Sequence, residues 1–256
     1  MRIKEYPINM YYIKGDSMKG NLIVIEGTDC SGKETQTKLL IKRLKQENIL
    51  VDKYSFPNYD SPTGKIIGGP YLGKEHISSG WFPETAPNVN PKVSSLYYAA
   101  DRLYNISYIQ DKLNQGINII LDRYIYSNMA HQGGKIANKE ERNKLYEWID
   151  KLEFNLLELP HPDIKIFLHM TDECSLRLKQ NREESLDQHE QDKNHLINAE
   201  KSYVEIANKY NFYTIECNEK DRIKTINEIN DELYNYVISK IKRKEKQYGQ
   251  VNKIKH

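Results

Sequence analysis

The sequence predicts an α/β protein in which a five-stranded parallel sheet is covered by helices on both faces, so that the chain forms three layers. Three observations predict this fold. Five short apolar runs alternate with helical patterns, which is typical of parallel strands joined by crossover helices. A glycine-containing loop joins the first strand to the first helix. The chain has 256 residues, which is enough for one large α/β domain.

The first strand and the first helix enclose a motif for binding phosphate. An apolar run over residues 22–25 predicts a buried strand, and residues 35–46 show helical spacing. Between them, Gly27 and Gly32-Lys33 have the spacing of a phosphate-binding loop. Glycines let backbone N–H groups turn toward an anion, the helix N-terminus adds positive charge, and the lysine reaches the β- and γ-phosphates. The alternative is a turn that only joins the strand to the helix.

One position departs from this motif. The residue after the lysine is normally Ser or Thr, whose hydroxyl binds Mg²⁺. In this chain Glu34 occupies the position, and Thr35 follows one place later. The departure leaves open how a metal ion would be held.

The rest of the chain supplies the other strands and helices. Residues 50–56 predict the second strand, after which Asp60 or Ser61 is expected to cap a short helix. Residues 74–91 form a long polar loop, which is either a functional lid or an irregular surface excursion. The other predicted strands are 117–121, 164–168 and 212–216, and the other predicted helices are 92–115, 139–158, 172–182, 193–210 and 223–241.

Charged residues follow the third predicted strand at the edge where ligands of parallel sheets bind. Asp122-Arg123 closes this apolar strand, so we expect it to lie beside the phosphate loop, and we favour a function for it. Phosphoryl transfer needs positioning and charge neutralisation, which arginines provide. Taken singly, however, Arg102, Arg177 and Arg182 are each better explained as solvated surface charges.

The composition excludes several classes of protein. The formal net charge is +2, from 38 basic and 36 acidic residues, whereas a dedicated nucleic-acid binder is usually markedly basic. No apolar run approaches the roughly 20 residues that span a membrane. Cys30, Cys174 and Cys217 show no metal-ligand spacing and indicate a reducing, cytoplasmic location. We therefore expect neither nucleic acid nor membrane as a partner.

Four motifs together resemble the thymidylate kinase family of nucleoside monophosphate kinases. They are EGTDCSGKETQ, FPNYDSPTGK, YYAADR and DRYIYSNMAHQ, which occur in the family's order and at its spacing. The resemblance covers residues 19–238, with residues 1–18 as an N-terminal extension and 239–256 as a basic tail. It implies a P-loop kinase fold, transfer of the γ-phosphate of ATP to dTMP to give dTDP, a requirement for Mg²⁺, and a homodimer formed through the long helices.

The resemblance also implies roles for individual residues. Arg123 would bridge the donor and acceptor phosphates, Asp122 would support Mg²⁺, Tyr98 would stack on thymine and Arg102 would contact the base. The implied catalytic residues are Lys33, Asp122, Arg123 and Arg182. The implied ATP-binding residues are Gly27, Cys30, Ser31, Gly32, Lys33, Glu34, Thr35 and Arg177. The implied dTMP-binding residues are Asp29, Phe56, Pro57, Tyr98, Arg102, Arg123, Ser127, Asn128 and His131.

Family members carry a catalytic arginine either in the phosphate loop or in a lid. Residues 28–31 contain no arginine, so the resemblance places it in a lid over residues 177–192, with Arg182 as first choice and Arg177 as second. Asn58 or Tyr59 stands where a phosphate-binding arginine is common. That departure leaves open the alternative that the protein is a related kinase acting on another deoxynucleotide or a deoxynucleoside. Glu34 leaves open a second alternative, a nucleotide-binding module without turnover.

Overall fold

The computed structural model describes residues 18–28, 30–179 and 193–254 of the chain. Within these residues, five parallel strands form one sheet with the order β2-β3-β1-β4-β5, which confirms the predicted fold. The strands are Leu22–Gly27 (β1), Val51–Ser55 (β2), Asn118–Asp122 (β3), Ile164–His169 (β4) and Tyr213–Glu216 (β5). The helices are Lys33–Gln46 (α1), Pro62–Ile66 (α2), Pro91–Asn114 (α3), Ile125–Gly133 (α4), Lys139–Asp150 (α5), Asp172–Lys179 (α6), Lys193–Lys209 (α7) and Ile226–Ile254 (α8).

Alternation along β1 explains why both faces of the sheet are covered. Successive side chains of a strand point to opposite faces, and in β1 both sets are apolar. Leu22 and Val24 pack against residues of α3, α4, α5 and α7, whereas Ile23 and Ile25 pack against residues of α1 and α8. Burial of each such side chain contributes about 1.5–3 kcal/mol. The two apolar layers therefore hold β1 at the centre of the molecule.

The strand register brings the functional segments to one edge of the sheet. Ile25 lies opposite Asp122 of β3, and Gly27 lies opposite Leu168 of β4. The carboxyl ends of these three strands consequently meet, and the phosphate loop, the Asp122-Arg123 turn and the start of α6 follow from them. We refer to this edge as the rim.

Helix α4 was not predicted from the sequence. Almost all of its residues are buried, including polar ones such as Ser127, Asn128 and Gln132. A helix that is buried on nearly every side lacks the single apolar stripe by which amphipathic helices are recognised. Packing against α3 and α7, rather than an amphipathic pattern in its own sequence, stabilises α4.

The structure differs from the sequence prediction near the end of α5 and at the C-terminus. The helix predicted over 139–158 ends at Asp150 and continues as a π-helical turn, Lys151–Leu156. The last helix continues to Ile254, beyond its predicted end at residue 241 and through most of the segment described as a basic tail. Its Lys244 ammonium lies 3.3 Å from the Asp163 carboxylate, and Lys and Glu favour helix. A short antiparallel hairpin, Asn218–Glu219 (β6) and Arg222–Ile223 (β7), was also missed.

The predicted N-terminal extension lies, apart from Met18, outside the described residues. In the part of the chain that is described, no helix combines the length and the apolarity needed to cross a membrane.

Candidate active site

The phosphate loop runs from the end of β1 to the start of α1, which is the context its motif requires. A Cβ on Gly27 would lie 2.6 Å from Ser31 Oγ and 2.9 Å from the Leu168 carbonyl oxygen, so only glycine fits. Gly32 precedes α1 with a φ of 74°, a backbone conformation that favours glycine. The Lys33 ammonium folds back over the loop and donates to the Gly27 carbonyl oxygen at 3.3 Å. The loop thus places a cation beside the N-terminus of a helix, a combination that favours an anion.

Thr28, at the start of the loop, anchors it to the segment that follows β4. The Thr28 hydroxyl donates to the Met170 carbonyl oxygen and accepts from the Met170 N–H, both at 3.0 Å. Half-buried Cys30 has a positive φ of 58°, and Ser31 is buried. Asp29, a predicted acceptor-binding residue, lies outside the described residues.

Glu34, the residue that departs from the motif, points away from the loop. Its carboxylate pairs with the Lys38 ammonium at 2.6 Å on the exposed side of α1, and this hydrogen bond lowers the pKa of Glu34. Thr35 is also exposed. Neither residue supplies a hydroxyl beside Lys33 in the way that the usual Ser or Thr would.

The turn after β3 places a carboxylate and a guanidinium at the rim. Asp122 Oδ2 lies 3.2 Å from the Lys53 ammonium of β2. Arg123 has a φ of 67°, and its Nη1 lies 3.1 Å from the Tyr203 hydroxyl, 3.5 Å from Ser127 Oγ and 3.4 Å from His131 Nε2. Three predicted site residues, Arg123, Ser127 and His131, are thereby brought together.

Glu26, at the end of β1, was not recognised from the sequence. Its Oε1 accepts the N–H groups of Tyr124 (2.8 Å) and Ser127 (3.1 Å), and its Oε2 accepts the Ser127 hydroxyl. The side chain is 1% exposed, and burial raises its pKa while the nearby cations of Arg123 and Lys33 oppose that rise. Glu26 therefore lies within electrostatic range of both cations. An acidic residue inside an apolar strand is the signal that could have identified it.

Arg102 forms a buried ion pair with Glu153 of the π-helical turn. The guanidinium Nε and Nη2 donate to the two carboxylate oxygens, with Nη2 at 2.5 Å, and both side chains are almost completely inaccessible. Asn128 Nδ2 donates to Glu153 Oε1 at 3.5 Å. The structure thus joins two predicted base-contacting residues through Glu153, which sequence reasoning missed because it lies 51 residues from Arg102.

Two amides of α4 carry unsatisfied hydrogen-bonding groups. Asn128 Oδ1, and both Oε1 and Nε2 of Gln132, make no hydrogen bond within the part of the chain that the structure describes. Both residues are buried, at 3% and 0% exposed, and they are four residues apart, so they share one face of α4. Buried amides are normally paired, so these groups are available to a ligand. Gln132 was not among the predicted site residues.

Aromatic side chains and a carboxylate shape the neighbouring loop. Tyr98 packs edge-to-face on Tyr71, with 5.8 Å between ring centroids, and Phe56 packs between Tyr54 and Tyr124. Pro57 follows Phe56 through a cis peptide bond. Buried Asp101 accepts hydrogen bonds from the Asn58 N–H and from the hydroxyls of Ser61 and Thr63. The backbone after β2 is therefore tied to α3.

The described part of the predicted lid contains one of the two candidate arginines. Arg177 of α6 is exposed, and its Nη2 donates to the Asp221 carbonyl oxygen at 2.6 Å. Arg182 lies outside the described residues.

A Mg²⁺ ion fits the rim only with few ligands from the protein. Among the described residues, no three His, Cys, Asp or Glu side chains are close enough together to hold a metal ion. Mg²⁺ commonly keeps several waters and uses one or two carboxylates with substrate phosphates. The Asp122 carboxylate, at the carboxyl end of β3 and 17% exposed, suits such a role.

Comparison with known proteins identifies the family. The sequence model of the family described as thymidylate kinase matches residues 25–228. The thymidylate kinase of Schizosaccharomyces pombe is 34% identical over 152 residues, which are 59% of this chain and 62% of that protein. The probable thymidylate kinase of Methanocaldococcus jannaschii is 29% identical over 215 residues, covering 84% of this chain and 94% of that protein.

A solved structure supports the same conclusion. The thymidylate kinase of Candida albicans aligns with a TM-score of 0.65 and 27% identity, over 86% of this chain and 92% of that chain. The alignment with the Schizosaccharomyces pombe relative spans less than two thirds of that protein's length. Because the family model matches well over half of the chain, the chain belongs to the thymidylate kinase family.

Proposed function

We propose that the protein transfers the γ-phosphate of ATP to dTMP, giving dTDP and ADP. A phosphate oxygen of dTMP forms a bond to the γ-phosphorus as the bond from that phosphorus to the β–γ bridging oxygen breaks. The observation that carries this proposal is the position of Arg123. Its guanidinium contacts α4, whose amides have open hydrogen-bonding groups, and its backbone N–H lies 3.3 Å from the carbonyl oxygen of Ile25, two residues before the phosphate loop begins at Gly27.

The donor nucleotide fits the loop side of the rim. Backbone N–H groups of residues 30–33 and the N-terminus of α1 would bind its phosphates, and the Lys33 ammonium would move from the Gly27 carbonyl oxygen to the β- and γ-phosphates. Arg177, beside the β6–β7 hairpin, would contact the nucleotide from the lid side. Arg182 remains the proposed lid arginine that stabilises the transferred phosphoryl group.

The acceptor base fits the face of α4 that carries Asn128. Because Asn128 Nδ2 donates to Glu153, its Oδ1 is the atom left to bind a ligand, and this atom accepts hydrogen bonds. Thymine offers an N3–H donor between two carbonyl acceptors, so Asn128 Oδ1 suits N3–H. The amide of Gln132 could serve a carbonyl. Tyr98 would provide the aromatic face, and Arg102 would act from behind Asn128 through Glu153.

Arg123 would bridge the two nucleotides. In the structure its Nη1 contacts the hydroxyls of Tyr203 and Ser127 and the imidazole of His131, and these contacts hold the guanidinium at the rim. Phosphoryl transfer depends chiefly on such preorganised positive charge. Mg²⁺, held by ATP, water and Asp122, would supply further neutralisation of phosphate charge when bound.

We also propose a homodimer formed through α3. This helix carries exposed apolar side chains at helical spacing, and an exposed apolar stripe on one helix suits a partner surface. The residues are Val93, Leu96, Leu103, Tyr104 and Tyr108, which are 41–59% exposed. Sedimentation equilibrium would test this, with a monomer as the contradicting result.

The unpaired state of the three cysteines agrees with the proposed cytoplasmic location.

One assay tests the activity. ATP and Mg²⁺ are supplied with each member of a panel of nucleosides and nucleoside monophosphates, and ADP release is measured. The proposal predicts the highest turnover with dTMP. A different best acceptor would assign the protein to a related kinase, and binding without ADP release would contradict an enzymatic function.

A further inference from the structure

Lys135 follows α4, and its ammonium is surrounded by oxygen atoms from three other parts of the chain. Its Nζ lies within hydrogen-bond distance of the carbonyl oxygens of Ala86 (2.7 Å) and Val89 (3.0 Å) and of the hydroxyls of Tyr71 (3.3 Å) and Ser94 (3.4 Å), so its three N–H donors are shared among four acceptors. These four acceptors are uncharged. Burial lowers the pKa of Lys135 to about 7. The contribution of the amine here is therefore hydrogen bonding rather than ion pairing.

Three of the four partners of Lys135, Tyr71, Ala86 and Val89, belong to a small core that is separate from the core of the sheet. Ala86 and Val89 lie in the 72–90 loop, and together with Tyr71 they are 0–2% exposed. The ring of Tyr98 packs against this core and contacts Tyr71 edge-to-face, with an interplanar angle of 86°. Such a ring pair contributes about 0.5–1.5 kcal/mol. Tyr98 belongs to α3, so Tyr71 and the loop act on the orientation of its ring, and a displacement of either would remove this packing.

The other end of this connection is the helix that carries the open amides. The Lys135 N–H bonds the Gln132 carbonyl oxygen at 3.3 Å, so the lysine continues directly from the end of α4. Gln132 and Asn128 lie on the preceding turns. One side chain thus links the amides proposed to bind the base with the aromatic ring proposed to stack on it.

We propose that Lys135 is a positioning residue for the acceptor nucleotide: its ammonium fastens the 72–90 loop and Tyr71 to the end of α4, and so fixes the distance between Tyr98 and the α4 amides. The inference rests on the proposed dTMP kinase activity. Lys135 itself touches neither nucleotide. Its effect should fall on acceptor binding, because the donor side of the rim is formed by other elements.

The test replaces Lys135 by Met, which keeps an unbranched side chain one atom shorter and removes its donors. In Lys135→Met we expect the KM for dTMP to rise about tenfold, while kcat stays within about threefold and the KM for ATP is unchanged. The matched control is Lys144→Met, an exposed lysine of α5, which should behave as wild type. A wild-type KM for dTMP in Lys135→Met would overturn the inference, as would equal losses for both nucleotides.

A second measurement needs no substrate. With Trp148→Phe in each protein, Trp81 of the 72–90 loop is the remaining tryptophan, and its fluorescence anisotropy reports the mobility of the loop. Lys135→Met should lower the anisotropy relative to Lys144→Met, and unchanged anisotropy would contradict the fastening of the loop. The anisotropy can be measured whether or not the wild-type protein phosphorylates dTMP. A wild-type protein without that activity would refute the proposed function, whereas the anisotropy tests only the contact between Lys135 and the loop.

Tyr71→Phe keeps the test decisive if Lys135→Met does not fold. It retains the ring and removes the hydroxyl, which accepts from Lys135 and itself donates to the Ala86 carbonyl oxygen at 3.2 Å. We expect a rise of about threefold in the KM for dTMP without a change in the KM for ATP. An unchanged KM for dTMP in folded Tyr71→Phe would then overturn the inference.

Discussion

Glu26→Gln tests whether the buried carboxylate holds the Arg123 turn in place. Arg123 has a φ of 67°, a left-handed conformation that costs a non-glycine residue roughly 1–2 kcal/mol. The adjacent Tyr124 N–H and the Ser127 N–H both donate to Glu26 Oε1. A hydrogen bond to a charged group contributes about 1 kcal/mol more than one to a neutral group. Replacement by glutamine therefore weakens the two bonds by about 2 kcal/mol in total. This loss is as large as the strain energy of the left-handed conformation that the two bonds hold in place.

The expected result is a kcat lower by about 30-fold, the equivalent of ~2 kcal/mol, because Arg123 is no longer preorganised. The loss of stability should be smaller, about 1 kcal/mol, since removing the charge also removes the cost of burying it. ADP release at saturating substrates gives kcat, and urea unfolding gives the free energy of unfolding. Exposed Glu75→Gln is the control. A kcat within about threefold of wild type would refute the role of Glu26.

Three further predictions concern charged groups at or near the rim. Arg123→Ala should lower kcat/KM about 10²–10³-fold with folding retained, and near-normal kinetics would remove Arg123 from the site. Arg102→Met should lower the free energy of unfolding by about 3–5 kcal/mol, because the charge of Glu153 is left buried and unpaired. The double variant Arg102→Met/Glu153→Leu should regain most of the lost stability. Equal destabilisation in the single and the double variant would contradict the cost assigned to the buried charge. The pKa of His169 is raised chiefly by its hydrogen bond to Glu200. Protonated His169 should therefore stabilise the folded protein fully below about pH 6.5, and this contribution to the free energy of unfolding should be lost as pH rises through the raised pKa. His169→Gln should abolish that pH step in urea unfolding, and an unchanged step would assign it to another group.

The sheet and the phosphate loop could be predicted from the sequence because their signals are local. Each strand is a short apolar run, and the loop motif lies between a strand and a helix within a few residues. The position of Asp122-Arg123 followed from the rule that parallel strands end at one edge. These inferences needed no knowledge of which distant residues touch.

The contacts that complete the site could not be read from the sequence because they join distant segments. Glu153 meets Arg102 only because α5 ends in a π-helical turn, and Lys135 meets Val89 only because the 72–90 loop folds back on α4. Helix α4 has polar residues on buried faces, so its pattern resembles a loop. Glu26 did carry a local signal, an acidic residue at the end of an apolar strand, but it was not among the predicted site residues.

The ratio of kcat/KM for dTMP to that for dCMP tests the proposed acceptor site most directly. Cytosine presents an acceptor at N3 where thymine presents N3–H, so the Asn128 oxygen should favour thymine and leave cytosine unpaired. We predict a ratio of at least about 100 for the wild-type protein and a much smaller ratio for Asn128→Ala. A ratio near one in the wild-type protein, or an undiminished ratio in Asn128→Ala, would contradict the assignment of α4 as the surface that reads the base.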